Sequence, residues 1–148
     1  MKLLNLNQNK MNREFVPYNI AVRLKELGFN DECFGWYSTK GDFYLSLNAN
    51  KSIELNTLTK RGSFANAILV PTYSQAFRFF REKHYLISSI YQLGVSVKTG
   101  LSSFEYMIDK LNNLGLSQFI EDFPYNTYEE AEIACLENLI ELVESKSE

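Results

Sequence analysis

The chain has 148 residues, of which 45% are hydrophobic and 14% aromatic, with few glycines and prolines. That is the size of one ordinary domain with enough apolar surface for a core, and it excludes disordered and fibrous classes. The net charge of −3 gives no bulk argument for nucleic acid, and it is uneven: residues 129–148 carry seven Glu against Lys146, leaving residues 1–128 at about +3.

The opening MKLLNLNQNK is too short and too interrupted by Asn for a secretory signal, and residues 1–12 read as an N-terminal extension ahead of a domain over 13–148. Pro17 suits the first turn of a helix over about 16–27, with Val16, Ile20, Leu24 and Leu27 at helical spacing and Gly28 as its stop. Cys33–Ser38 and Asp42–Leu47 then flank a Lys40-Gly41 turn, with Phe34 and Trp36 on one alternating face and Phe43, Leu45 and Leu47 on another. Residues 48–67 lose this pattern and read as a long loop, apart from a short strand at Ser52–Leu55.

Thr72 and Gln75 form a T-x-x-Q capping box for a second helix from Tyr73 to about Lys83, with Tyr73, Ala76, Phe77 and Phe80 as its apolar stripe. Tyr85–Leu93 and Phe104–Leu111 read as strands, Asn112–Gly115 as a turn, and Leu116–Phe123 as a further short strand. A second capping box, Thr127 with Glu130, opens the last helix. Its apolar positions Ala131, Ile133, Cys135, Leu136, Leu139, Ile140, Leu142 and Val143 cover an arc wide enough to lie on a sheet or between elements. Glu130, Glu137, Glu141 and Glu144 form the remaining face, which is either solvated or turned toward a basic partner. The expected fold is α+β: a single domain of about three helices packed on a mainly antiparallel sheet of four to five strands.

Tyr18, Tyr73 and Tyr128 stand 55 residues apart, each three residues before an alanine at a helix start. An alignment at that spacing matches poorly beyond the Tyr, the Ala and the pair Arg23/Arg78, so the spacing marks helix boundaries and not a duplication.

The blocks EFVPYNIAVRLKELGFNDECFGWY, LVPTYSQAFRFFREKHYL and TYEEAEIACLENLIELV resemble small proteins encoded by phages, prophages and mobile elements of Bacteroidetes-type bacteria. The resemblance places the family's start near Met11, implies an accessory role in a host bacterium, and carries over no activity or catalytic motif; the expected cytoplasmic location follows from the lack of a secretory signal and of a membrane span in the sequence.

Chemistry is sparse. His84 is the one histidine, no His/Cys set has zinc-ligand spacing, and neither a phosphate-binding glycine loop nor a nucleophile elbow is present. The expectation is therefore no enzyme, no metal and no cofactor. Cys33 and Cys135, far apart and single, read as small buried hydrophobes of a reducing compartment. No segment approaches the roughly 18 apolar residues of a membrane span.

The candidate binding residues are Arg78 and Arg81 on one helix face, His84 at the helix end, Lys60 and Arg61 in the preceding loop, and Trp36 and Tyr37 as aromatics. Guanidinium forks take carboxylate or phosphate bidentately, whereas the same groups serve equally as a solvated face, a core-edge histidine and hairpin aromatics. Three functional classes follow. The preferred one is a non-catalytic module binding a host or phage protein. The alternatives are a binder that sequesters a nucleotide-like, phosphate-bearing defence signal, and a nucleic-acid-binding domain, which the acidic last helix disfavours. A homodimer through an exposed sheet edge is compatible with each.

Overall fold

The computed structural model describes residues 12–45, 66–95, 99–100, 102–110, 120–121 and 124–145. The expected Ser52–Leu55 strand, the Asn112–Gly115 turn, Lys60 and Arg61, and nearly all of the N-terminal extension lie outside them. The α+β class holds, with three α-helices among the described residues and every strand pairing antiparallel. The strands divide between two three-stranded sheets, not one. The chain clusters into two compact units, Met1–Ala76 and Phe77–Glu148, with the boundary inside the second helix.

In the first unit, helix α1 spans Tyr18–Glu26, two residues shorter at its start than the sequence suggests. Val16 donates its backbone N–H to Pro71 O at 3.1 Å and Phe15 bridges Thr72, so this stretch is held extended before Pro17 admits the helix. Ile20, Ala21 and Leu24 are its buried face. At its end Phe29 N–H donates to Leu24 O and Gly28 N–H to Lys25 O, the paired bonds of a Schellman stop, with Gly28 at φ 89°.

Strands β1 (Gly35–Tyr37) and β2 (Phe43–Leu45) form the expected hairpin, and β3 (Ile68–Val70) adds to the other side of β1, giving the order β2-β1-β3. Ser38 organises the turn: its Oγ accepts from the backbone N–H of Lys40 and Asp42, while Gly41 takes φ 84°. Tyr37 opposes Phe43 and Ile68 in the register, and Trp36 opposes Tyr44 and Leu69, so the two aromatics of β1 project to opposite faces.

Helix α2 covers Tyr73–His84. Its capping box is complete: Thr72 Oγ1 accepts from Gln75 N–H, and Gln75 Oε1 accepts from Thr72 N–H at 3.0 Å. Gln75 Nε2 also donates to Glu32 O at 2.8 Å, tying the cap to the segment before β1. The apolar stripe needs correcting: Ala76, Phe79 and Phe80 are buried, and Phe77 only half-buried. Phe77 and Phe79 flank the same wheel direction, so periodicity cannot choose between them without knowing where the sheet lies.

In the second unit β4 (Leu86–Val95) and β5 (Ser102–Lys110) make a long hairpin, with a bulge between Gln92 and Gly94. Strand β6 (Ile120–Glu121) pairs with Met107 and Ile108, giving the order β4-β5-β6. Tyr125 and Phe104 exchange both backbone hydrogen bonds, at 2.8 and 2.7 Å, beside the same edge of β5. Helix α3 (Tyr128–Glu144) packs on β4 and β5. Ala131, Cys135, Leu136, Leu139, Ile140 and Val143 are buried, while Ile133 and Leu142 fall at the half-buried margins of the expected arc. On the facing side of the sheet Tyr106 and Ile108 are buried, and Asn138 Nδ2 donates to the Tyr106 hydroxyl at 3.1 Å, which satisfies that polar atom inside the core.

Candidate functional site

The aromatic candidates separate. Tyr37 lies against α1: its hydroxyl donates to Val16 O at 3.1 Å, and its ring meets Tyr18 and Phe43 edge-on at 5.3 and 5.5 Å. Burial pushes the Tyr37 hydroxyl above the usual phenol range, as expected for an anchor. Trp36 projects to the other face and stacks on Tyr44, centroids 4.4 Å apart and planes 14° from parallel. One face of the indole is therefore covered by Tyr44, itself exposed.

The second unit gathers the remaining described candidates at the end of α2. Phe79 and Phe80 turn inward, and His84 lies half-buried against them, its ring 5.1 Å from Phe79 and 5.7 Å from Phe80. His84 Nε2 is shielded from solvent. Arg78 and Arg81, one helical turn apart, are exposed, as are Glu82 and Lys83.

Tyr85, which the sequence placed in the following strand, is instead the residue that joins α2 to β4. It holds φ 57°, the one non-glycine among the described residues in the left-handed region, and its side chain is 63% exposed. That conformation costs an L-residue roughly 1–2 kcal/mol, and glycine would adopt it freely. No sequence signal marks this, because a helix stop is recognised by Gly or Asn at that position. Tyr44 was missed for a related reason: an exposed strand aromatic looks the same as a buried one. Asp109, on the sheet face opposite α3, has Oδ1 shielded from solvent with no hydrogen-bond partner among the described residues.

Both cysteines are buried and free. Burial pushes the Cys33 thiol up to about 12, with Asp31 adding to the effect. Burial likewise raises Cys135 to about 12, with Glu132 adding, against a hydrogen bond from Ser88 that lowers it. Neither is poised as a nucleophile. Among the described residues no group of three or more His, Cys, Asp or Glu side chains gathers where it could hold a metal ion, and no helix is long and apolar enough to cross a membrane. Comparison with protein-family models, curated proteins and solved structures finds no match to this chain.

Proposed function

We propose that this chain is a non-catalytic protein-binding module whose contact surface is the basic and aromatic end of α2. The observation that carries the reading is Tyr85: a large aromatic held outward in a strained backbone conformation, directly after a helix turn that presents Arg78, Arg81 and Lys83. Strain of this kind persists where function uses it, and exposed Tyr and Arg side chains are the groups that most often anchor protein interfaces. The partner that fits is a protein with an acidic, partly apolar patch. The resemblance to phage and mobile-element proteins suggests a host or phage protein of the bacterial cytoplasm.

The nucleotide-binding alternative has less support, since Trp36 already has one ring face against Tyr44 and Arg78 and Arg81 are exposed.

Substitution at Tyr85 tests the proposal with stability and binding expected to move in opposite directions. Tyr85→Gly removes the backbone strain and should raise unfolding free energy by up to about 1 kcal/mol, read by urea titration. The same variant, and Arg78→Glu/Arg81→Glu, should lose the protein partner that the unaltered chain retains in affinity purification from infected or prophage-bearing cells. Retention of that partner by both variants would refute this surface as the contact.

A further inference from the structure

Strand β4 lies at the edge of the second unit's described sheet. Among the described residues it pairs with β5 alone, whereas the opposite edge of β5 is taken by β6 and the Tyr125 bridge. Natural edge strands are normally short, charged, broken by proline or bulged along their length, because an unpaired ladder otherwise recruits another chain. β4 departs from this pattern. Leu86–Val95 reads LISSIYQLGV, ten residues with no charged side chain and no proline, and its bulge comes only after Gln92. Leu86–Gln92 is therefore a regular, neutral edge. Ile87 and Ser89 are exposed on the face away from α3, and Leu93 and Val95 are exposed beyond them.

We infer that β4 pairs with the β4 strand of a second copy of this chain, antiparallel about a two-fold axis at Ser89, so that two three-stranded sheets become one six-stranded sheet. Two observations select a second copy over another partner. First, the regular stretch is self-complementary about its centre: with Ser89 on the axis, Ile87 faces Tyr91 of the other copy, and the reverse, twice forming the aromatic and β-branched pair that stabilises antiparallel ladders. Second, the strand's neutrality suits self-association of an acidic chain, since like-charged copies meet there without repulsion, while a charged peptide would find no complementary group on it. Tyr85 adjoins the first residue of this strand, so the two proposals are told apart by their readouts, chain mass and cross-linking here and partner capture there.

The experiment uses the full chain. Light scattering after size exclusion at about 100 µM should give twice the 17.2 kDa chain mass, falling towards the monomer on dilution. In Ser89→Cys the new thiols lie at the axis, where facing Cα atoms of a ladder stand about 4.5–5.5 Å apart, within disulfide range. Under mild oxidation this variant should cross-link at least ~10-fold faster than Ser74→Cys, an exposed helix position, and the buried native cysteines supply no competing thiol. Ile87→Lys should weaken the dimer by more than ~10-fold with an unchanged circular dichroism spectrum, and Ser89→Lys serves the same purpose if that variant fails to fold. A monomeric mass throughout, or a dimer that cross-links no faster at position 89 than at 74, overturns the inference.

Discussion

Gly35 is where the aromatic packing of the first unit is tightest. A Cβ at this position would stand 2.9 Å from the Phe43 ring, and that ring is held between Phe15 at 5.2 Å and Tyr37 at 5.5 Å. Because the ring must shift against both neighbours to admit a methyl group, Gly35→Ala should destabilise the protein by about 1–3 kcal/mol, measured as a lower urea midpoint at unchanged slope. The sequence offers a glycine inside a strand pattern, which signals close approach of something; only the register across β1 and β2 identifies that something as Phe43. The three tyrosines behave the same way. Helices do begin at Tyr18, Tyr73 and Tyr128, and Ala21, Ala76 and Ala131 are each essentially fully buried. The spacing thus located three helix starts and three close-packed alanines, without saying what packs on them.

At the scale of elements, capping chemistry was the most legible signal. Both boxes rest on side chains a few residues from the backbone groups they satisfy, so the local sequence contains the whole interaction. Thr127 Oγ1 accepts from Glu130 N–H at 3.1 Å, although Glu130 returns to Asn126 N–H, one residue earlier than the reciprocal bond expected at Thr127. The two caps differ in how much else depends on them. Thr127→Ala removes one exposed cap of a long helix with six buried side chains and should cost about 1 kcal/mol. Thr72→Ala also loosens Gln75, whose amide holds Glu32 O in a different part of the chain, so its cost should exceed that of Thr127→Ala in chemical denaturation. Strand partners were not legible to the same degree. Pairing joins residues far apart in sequence, and β3, three residues of unbroken hydrophobic character, looks like the lead-in to a helix until β1 is beside it. Of the candidate site, the exposure of Arg78 and Arg81 and the core-edge position of His84 followed from the helical wheel; Tyr85 did not, because left-handed backbone at a tyrosine has no sequence signature.

For the molecule as a whole, the order of strands argues against a duplicated ancestor more strongly than the weak alignment does. Among the described residues each helix-led run, α1 to β3 and α2 to β6, has three antiparallel strands, but the first places its first strand in the centre and the second places its second strand there. The units do share one electrostatic property. Each buries a cysteine whose thiol is pushed up to about 12, Cys33 in one and Cys135 in the other, and Tyr37 and Tyr128 are shifted upward as well, chiefly by burial. A thiol with an ordinary value of 9.0 in the unfolded chain and about 12 when folded binds its proton more tightly in the native state. Its contribution is therefore complete below the unfolded value and is lost as pH rises towards the folded one. The protein should accordingly lose stability progressively between about pH 9 and pH 12, by a few kcal/mol per buried thiol. Urea titrations at pH 7, 9 and 10.5 check this, and comparison with Cys33→Ala/Cys135→Ala separates the thiols from the chain's other groups. The double variant should start less stable at pH 7, from lost packing, and fall less steeply above pH 9. An equally steep fall in both proteins would assign the alkaline weakness to the other groups.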